Sequence, residues 1–546
     1  MNLDWPSEFT EKVHPKTDFD AVCAAAVSGG AHRLSLESAC LARNCARQTY
    51  GGRRNGGSGM THAASRADVV VIGGGLAGIS AAIDLADAGR AVTLLEGRPW
   101  LGGATCSFIR RGLTIDNGQH AFLRCCTAYR ELLVRLGVGS SCAIQDRLDL
   151  TVLDGTALGR PAQARLRRSA LPAPAHLAGA LARYRFLSGP ERLRVAAAAV
   201  ALQFTEPGSG AGPASLAGWL DRHRQDERTR AQLWDWLCVT ALNVAPEHAD
   251  LALAASAIRT AVLAGRDHAD IGVPSVPLSG LHSAPAFALL GRLGVTIRLG
   301  VRAAAVHQAP AGGYRVSLGP ARTGSDSEPG PQSPDIRADA VVLAVPPSEA
   351  AALVPTALAG EAARWSLLRP SPMVSVHVSY GSRVTELPFA AIVGAPVRWV
   401  IDKSAAAGLP AGQYLAASIP AAADYVDMPA AQVRERILPV LERVFPAAAD
   451  ASIEDCFVTR ERRATIRHEP GTQRLRPAIG LPGLAVAGAW TDTGWPDTME
   501  GAVRSGRSAA RRLIAGLTVG PAAAPARPSA ERATVTAAAA WSGTPR

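Results

Sequence analysis

The chain has 546 residues, 48% of them hydrophobic, and a formal net charge of +11 at pH 7. This length and apolar fraction support two or more domains with well-packed cores, and no uninterrupted apolar run reaches the roughly 18 residues that a membrane-spanning helix needs. The positive charge can favour an anionic membrane or a nucleic acid, but a GC-rich coding bias toward Ala, Arg, Gly and Pro explains it equally well.

The nine cysteines form no CxxC pair and no metal-ligand spacing with histidine. We therefore expect free thiols, no metal site and a reducing, cytoplasmic compartment. The N-terminus lacks the apolar centre of a secretory signal. Residues 1–66 show no periodicity and end in a glycine-rich run, which predicts a disordered or appended extension and makes Met60 a candidate natural start.

The first predicted strand, residues 69–72, runs into a glycine turn with GxGxxG spacing. Gly73 permits the tight turn, Gly75 lets a pyrophosphate approach the backbone, and Gly78 lets the next helix lie close to the sheet.

That helix begins at Leu76 and Ala77, and its N-terminus offers unpaired N–H groups to phosphates. The next strand, residues 92–95, ends in Glu96, which is placed to accept hydrogen bonds from a ribose. The pattern predicts a dinucleotide site, whereas an ordinary βαβ turn would not require the terminal acid.

A second glycine pair, Gly102 and Gly103, follows Gly97 and Arg98 closely. Such a pair lets the chain double back over the same phosphates, which a nicotinamide dehydrogenase does not need. The arrangement is similar to the flavin version of this fold, in which Glu96, Arg98 and the glycine pair enclose FAD.

Residues 160–204 alternate apolar side chains with arginines at helical spacing. The apolar residues include Leu177, Leu181, Tyr184 and Leu187, and the arginines include Arg183, Arg185, Arg192 and Arg194. This pattern is typical of basic amphipathic helices at a membrane interface. A solvated helix face over an ordinary core produces the same pattern.

Further strands are predicted at 294–299, 300–306, 314–318 and 340–347, with a flexible loop at 319–335. Near the C-terminus, a strand meets Gly488, and a helix begins near Met499, Glu500, Gly501 and Ala502. Small residues recur along that helix at the spacing of a closely packed face. Plain helix packing would explain this stripe, but the two glycine motifs near opposite ends of the chain favour FAD.

The predicted fold is therefore α/β. A Rossmann-like FAD-binding domain is assembled from three separated segments, 67–126, 271–347 and 476–517. A mixed α+β substrate domain is built from residues 127–270 and 348–475, and residues 518–546 form a low-complexity, disordered tail.

Three local motifs are more specific: DNGQH at 116–120, ALN at 241–243 and WTDTGWP at 490–496. Together they resemble the hydroxysqualene dehydroxylases, within the larger group of flavin amine oxidases and phytoene desaturases, over residues 68–515. The resemblance implies FAD and the reductive conversion of hydroxysqualene to squalene for bacterial hopanoid synthesis. It also implies cofactor contacts at Gly118, Gln119, Ala303 and Trp490, and a Met499 helix whose N-terminus points at the pyrimidine end of the flavin.

Two positions depart from that pattern. Ala104 stands where the superfamily often has arginine, and Ala489 stands where Asp or Glu binds the ribityl chain of FAD. Losing one charge-assisted hydrogen bond costs about 1.5–3 kcal/mol of cofactor affinity, which weakens FAD binding without abolishing it.

Replacing an allylic hydroxyl by hydrogen requires a hydride donor, which reduced flavin provides, and a proton or hydrogen-bond donor for the leaving oxygen. His120 and Asp492 are the candidate acids and Asn243 is a candidate for orienting the hydroxyl, because all three lie in the resembled motifs. Each has a structural alternative: His120 can cap a turn, Asp492 can bind backbone N–H groups, and Asn243 can cap a helix.

The expected partners are a hydrophobic isoprenoid substrate, an anionic membrane surface contacted peripherally, and other squalene-pathway enzymes, with no nucleic acid. A carotenoid-type desaturase or a flavin amine oxidase is an alternative. Amine oxidases typically place a lysine near the flavin, whereas Lys403, the only lysine after Lys16, lies in no such motif. Ala489 leaves a third alternative, a flavin-poor, non-catalytic partner of prenyl-transfer enzymes.

Overall fold

The computed structural model describes residues 66–518, except 157–161, 206–213, 320–333, 473 and 477–478. The predicted N-terminal extension, the loop at 319–335 and the C-terminal tail therefore lie wholly or almost wholly outside the described residues.

In chain order the strands are β1 (Arg66–Ile72), β2 (Val92–Glu96), β3 (Ser107–Arg110), β4 (Leu113–Asp116), β5 (Phe122–Leu123), β6 (Cys142–Ile144), β7 (Asp149–Asp154), β8 (Gln163–Arg167), β9 (Ile271–Pro274), β10 (Thr296–Leu299), β11 (Ala303–Gln308), β12 (Tyr314–Leu318), β13 (Ile336–Leu343), β14 (Pro370–Tyr380), β15 (Phe389–Val393), β16 (Trp399–Asp402), β17 (Gln413–Ile419), β18 (Ile453–Ile466) and β19 (Leu484–Val486).

The helices are α1 (Leu76–Asp87), α2 (Thr127–Arg135), α3 (Ala178–Ala182), α4 (Gly189–Gln203), α5 (Leu216–Arg222), α6 (Glu227–Thr229), α7 (Asp235–Leu242), α8 (Leu251–Ile258), α9 (Ala284–Arg292), α10 (Pro347–Leu353), α11 (Ala359–Ser366), α12 (Ser404–Ala407), α13 (Ala430–Val444) and α14 (Met499–Thr518).

The first sheet has the strand order β10-β2-β1-β13-β12-β11, with β19 paired to β13. Its central strands β1, β2, β13 and β19 are parallel. Successive residues of β1 face opposite sides: Val69 and Val71 enter one apolar core, and Val70 and Ile72 enter another. The continuous apolar sequence of β1 follows from this, because a parallel strand covered on both faces has no solvent side.

Helices α1, α2, α9 and α14 cover one face of this sheet. A Cβ atom at Gly506 of α14 would lie 2.1 Å from the Ala77 carbonyl oxygen of α1, so the two helices pack with their backbones almost in contact. Helix α2 differs from the sequence-based assignment, which places residue 127 at the start of the substrate domain. Its Tyr129 and Leu132 are buried in the core that α1 and α14 share, because helix periodicity does not specify which sheet a helix covers.

The second sheet has the strand order β18-β14-β17-β16-β15-β7-β8. Helix α13 packs its buried face, including Val433, Ile437 and Leu441, on one side of this sheet. Helices α4, α5, α7 and α8 form an apolar core with residues of β7, β15 and β16. This sheet and its helices constitute the second, mixed α and β part of the molecule.

The apolar residues of the basic amphipathic segment belong to this helical core. Tyr184 and Leu187 are each 1% exposed, and Leu177 and Leu181 pack partly buried against the same cluster. For these four residues the membrane-interface interpretation is wrong, because their apolar face is covered by protein. Among the described residues, no helix has the length and apolar character that crossing a membrane requires.

Candidate active site

The turn between β1 and α1 combines two tightly packed glycines with one that is open. Gly73 has a φ of +108°, and a Cβ at Gly78 would lie 1.8 Å from the Gly73 carbonyl oxygen. In contrast, the nearest atom to a Cβ at Gly75 would be the Gly103 Cα, at 3.9 Å. The space in front of Gly75 is thus a cradle that any side chain would fill. The next residues, Leu76 and Ala77, are buried in the first turn of α1.

Glu96 holds the next part of this cradle together. Its carboxylate accepts hydrogen bonds from the Gly74 and Arg98 N–H groups, both at 2.7 Å. The Arg98 guanidinium donates to the Gly103 carbonyl at 2.7 Å, and the Gly102 N–H donates to the Gly74 carbonyl at 2.8 Å. The second glycine pair consequently lies against the first turn.

The start of β11 closes a third side. The Val301 N–H donates to the Glu96 carbonyl at 3.0 Å, and Ala303 begins β11 two residues later, half-buried. A Cβ at Gly97 would lie 2.8 Å from Cγ of Arg302, so a side chain at position 97 would clash with Arg302.

The C-terminal part of the site lies between β19 and α14. The Gly488 N–H donates to the Ser505 hydroxyl at 2.8 Å, and the Gly501 N–H donates to Thr498 Oγ1 at 3.2 Å. Met499 is half-buried at the first position of α14, and Ala502 packs against the first core. Ala489 is half-buried, and its carbonyl accepts a hydrogen bond from Arg474 at 2.9 Å.

Two predicted cofactor contacts in this segment require correction. Trp490 is buried in the core, where it packs on Trp365 and donates its indole N–H to the Val345 carbonyl. Glu500 accepts hydrogen bonds from the Ala128 and Tyr129 N–H groups at 3.1 and 2.7 Å. Its carboxylate therefore caps the N-terminus of α2, and neither side chain is available to a cofactor.

A polar cluster surrounds the end of β4. Asp116 is 4% exposed, and its Oδ1 accepts hydrogen bonds from the Ser107 hydroxyl and the Leu278 N–H at 2.8 and 2.9 Å. Its Oδ2 lies 2.9 Å from Nζ of the buried Lys403. Sequence reasoning did not select Lys403. The available signal was its chemistry, because it is the only lysine after Lys16 in a chain otherwise supplied with arginine.

His120 lies within electrostatic range of this ion pair. Its imidazole is half-buried and makes no hydrogen bond with the described residues. Burial lowers the pKa of His120 to about 4, while Asp116 raises it and Lys403 lowers it. At neutral pH the ring is therefore uncharged, so it can donate or accept a hydrogen bond but holds no ready proton. The role that the structure supports for His120 is therefore that of a neutral hydrogen-bonding group, and not the acid that the motifs predict.

Two further buried histidines adjoin the cluster. Burial lowers the pKa of both His282 and His377 to about 3. His282 pairs with the Tyr129 hydroxyl at 2.8 Å. His377 lies between the Tyr414 and Thr459 hydroxyls, at 2.6 and 2.8 Å.

The middle of the DNGQH motif leaves acceptors unused. Gln119 donates its amide N–H to the Ala416 carbonyl of β17, and Gly118 lies beside the His120 ring. The side-chain oxygens of Asn117 and Gln119 are buried and have no hydrogen-bond partner. Buried acceptors without partners are costly, so these two oxygens are the least satisfied buried polar atoms of the motif.

The other two catalytic candidates make no hydrogen bond with Asp116, His120 or Lys403 among the described residues, and their partners lie elsewhere. Asp492 is exposed. Its carboxylate interacts electrostatically with the guanidinium of Arg474. Asn243 ends α7 with a φ of +56°. Its amide donates to Ser371, Pro372 and Thr465 and accepts from the Ala421 N–H. This amide is fully used in joining α7 to the second sheet, so the orienting role is corrected to the structural alternative.

Comparison with known proteins decides the family. The flavin-containing amine oxidoreductase family matches residues 76–514. The chain belongs to this family. It is an FAD-dependent oxidoreductase, and the open cradle at Gly75 with the acid at Glu96 fits a dinucleotide cofactor.

Individual flavin oxidoreductases match to different extents. A hydroxysqualene dehydroxylase of Rhodopseudomonas palustris is 30% identical over 451 residues, which cover 82% of this chain and 98% of the relative. A zeta-carotene desaturase of Zea mays is 36% identical, but over 92 residues, 17% of this chain and 16% of the relative. The solved structure of cyclohexylamine oxidase from Brevibacterium oxydans has a TM-score of 0.61 at 19% identity, covering 83% of this chain and 99% of that one.

Proposed function

We propose that this protein catalyses the FAD-dependent reductive dehydroxylation of hydroxysqualene to squalene, in bacterial hopanoid biosynthesis. The similarity to a hydroxysqualene dehydroxylase along almost its whole length carries this proposal. The similarity to a zeta-carotene desaturase covers only 92 residues. That difference favours dehydroxylation over carotenoid desaturation.

The cofactor would be held by the cradle described above. The residues that line it are Gly73, Gly75, Gly78, Glu96, Arg98, Gly102, Gly103 and Ala303, with Gly488 and Gly501 at the C-terminal side. When bound in its reduced form, FAD supplies a hydride.

The polar cluster suits the other half of the reaction. A substrate hydroxyl can accept a hydrogen bond from neutral His120, whose half-buried ring is otherwise unbonded among the described residues. As the C–O bond breaks, the carbon receives the hydride, and the oxygen takes up one proton from solvent and leaves as water. The buried Lys403 is a cation close to His120, and it stabilises negative charge on the departing oxygen.

The amine oxidase alternative draws support from the buried Lys403 in the cluster, because amine oxidases typically place a lysine near the flavin. The near full-length similarity to a hydroxysqualene dehydroxylase favours dehydroxylation over it. The flavin-poor alternative rests on Ala489, but the remainder of the cradle retains its glycines and Glu96.

We also propose that the protein works at the cytoplasmic face of a membrane, beside other enzymes of the squalene pathway. The reason is chemical, because hydroxysqualene and squalene both partition into lipid.

Anaerobic single turnover tests the proposed reaction. Purified protein is reconstituted with FAD, reduced, and mixed with hydroxysqualene in detergent, and the flavin absorbance and the product mass are followed. We expect flavin reoxidation matched by squalene. Phytoene and a primary amine, offered to the oxidised protein, serve as the competing substrates. Failure to take up FAD supports the non-catalytic alternative, and flavin reduction by phytoene or the amine supports that enzyme class instead.

A further inference from the structure

Helix α4 carries a second apolar face that no part of the described chain covers. Its buried face packs Val195, Ala198 and Leu202 into the helical core. On the opposite side, the exposed residues at helical spacing are Leu193, Ala196, Ala197, Val200 and Phe204, which we name the α4 stripe. Leu193 is 74% exposed, Val200 55% and Phe204 80%. Large exposed apolar residues that form one contiguous face mark an interaction surface.

The segment that contains the α4 stripe carries charges of almost one sign, and the exposed carboxylate of Asp226 beside it is paired with Arg194. Between residues 162 and 205 there are seven arginines and one acidic residue, Glu191, which is buried in the capping box of α4. On the helix, Arg192 and Arg194 flank the stripe on its two sides.

Three of the nearby arginines have no carboxylate partner among the described residues: Arg183, Arg185 and Arg192. Arg192 donates to the Tyr184 and Ala182 carbonyls, which brings the exposed Arg183 and Arg185 next to the N-terminal end of the stripe. Arg194 pairs with Asp226.

We infer that the α4 stripe docks on an anionic lipid surface. An apolar helix face flanked by arginines is complementary to such a surface, since the apolar side chains enter the acyl boundary while the guanidinium groups meet lipid phosphates. The inference deepens the membrane contact proposed above. It assigns that contact to the outer face of α4 and removes it from Leu177, Leu181, Tyr184 and Leu187.

Vesicle co-sedimentation of the full chain with bound FAD tests the inference. We expect binding to vesicles that contain phosphatidylglycerol, weaker binding to pure phosphatidylcholine, and further weakening as salt rises. The combined variant Leu193→Gln, Val200→Gln and Phe204→Gln should reduce binding by about tenfold or more. Glutamine keeps a high helix propensity, so α4 should remain folded.

A matched control removes two equally exposed apolar side chains elsewhere, Val134→Gln and Leu367→Gln, which are 71% and 78% exposed. This variant should bind vesicles like the unmodified protein. Equal loss in both variants, or retained binding in the stripe variant, would overturn the inference. So would a dimer, measured by light scattering, that the stripe variant alone converts to monomer, because a second copy would then be the occupant.

If the stripe variant fails to fold, Arg183→Gln with Arg185→Gln provides a second test. It should weaken binding to phosphatidylglycerol vesicles and leave the small binding to phosphatidylcholine unchanged, and an unchanged preference for phosphatidylglycerol would count against the inference. Vesicle binding is measured without substrate, and single turnover uses detergent. A failed lipid contact is therefore distinguishable from a failed dehydroxylation.

Discussion

At the scale of single residues, the ion pair of Lys403 and Asp116 is the least expected part of the site. Both side chains are less than 8% exposed, and burying two charges costs several kcal/mol that their attraction only partly offsets. Such a pair is weak as a stabilising device. Its position beside His120 gives it an electrostatic role, because it sets the charge around an imidazole that is neutral at physiological pH.

A double-mutant cycle separates that role from a structural one. Lys403→Met alone leaves a buried, unpaired carboxylate and should cost about 3–5 kcal/mol of unfolding free energy. Adding Asp116→Asn should recover much of this loss, because the amide oxygen can still accept from Ser107 and Leu278.

The dehydroxylation rate distinguishes the two roles in the same variants. We expect the turnover number to remain low in the double variant after its thermal stability has returned. If turnover recovers together with stability, the pair is structural only.

Residue-scale prediction was least successful where a side chain could point in two directions. Trp490, Glu500 and Asn243 lie in the segments that the motifs indicate, yet each side chain is used within the protein. A motif identifies which backbone lies near a cofactor. The direction of a large or capping side chain depends on neighbours such as Trp365 and α2, which are distant in sequence.

At the scale of elements, glycine serves two different purposes: it leaves space open in front of the β1–α1 turn, and it lets α14 pack closely on α1. Gly75 faces open space, whereas Gly506 faces the Ala77 carbonyl at 2.1 Å from where its Cβ would be. Gly75→Val should therefore abolish FAD uptake with little change in the melting temperature of the apoprotein. Gly506→Val should force α14 away from α1 and lower the melting temperature of the apoprotein itself.

Two measurements check this contrast: flavin absorbance after FAD is added to each purified variant, and thermal denaturation of each apoprotein. Normal flavin content in Gly75→Val would show that the cradle is not the phosphate site. A large loss of stability in that variant would show that Gly75 is also constrained by packing.

Strong periodicity made the β1-α1-β2 unit predictable, since a buried parallel strand and a small-residue helix each leave a clear pattern. Helix α4 was harder, because both of its faces are apolar in part. Periodicity alone could not separate the face that packs into the helical core from the face that meets solvent. Because of the same ambiguity, the sequence pattern predicted a membrane interface for apolar residues that pack in the helical core: Leu177, Leu181, Tyr184 and Leu187.

At the scale of the whole molecule, the site is formed where the two sheets meet. Asp116 ends β4 of a separate two-stranded sheet and His120 follows it, whereas His377 and Tyr414 belong to the second sheet and Lys403 follows its strand β16. No local pattern could bring these residues together. Their proximity results from the packing of the two parts of the chain.

The buried histidines predict how global stability responds to pH. His120, His282 and His377 have pKa values of about 4, 3 and 3 in the folded protein, below the value of about 6.5 for an unfolded chain. The unfolded state therefore binds protons first as the pH falls. Stability is fully present above about pH 6.5 and decreases toward pH 4, by up to about 1.4 kcal/mol per pH unit for each histidine.

Thermal denaturation between about pH 7 and pH 5 measures this slope, since most carboxylates do not titrate in that interval. His377→Gln should make the slope shallower, whereas His307→Gln, which changes an exposed histidine, should leave it unchanged. A melting temperature that does not vary over this interval would contradict buried, neutral histidines.

The pairing of β13 with both β1 and β19 has a consequence for biosynthesis. Strand β1 begins at residue 66, but β19 ends at Val486, and α14, which packs on α1, extends to Thr518. The first sheet and its helical cover therefore cannot be completed until the chain through α14 has left the ribosome. Cofactor loading is expected only after β19 and α14 have emerged, and a ribosome-stalled chain that ends before β19 should capture no flavin.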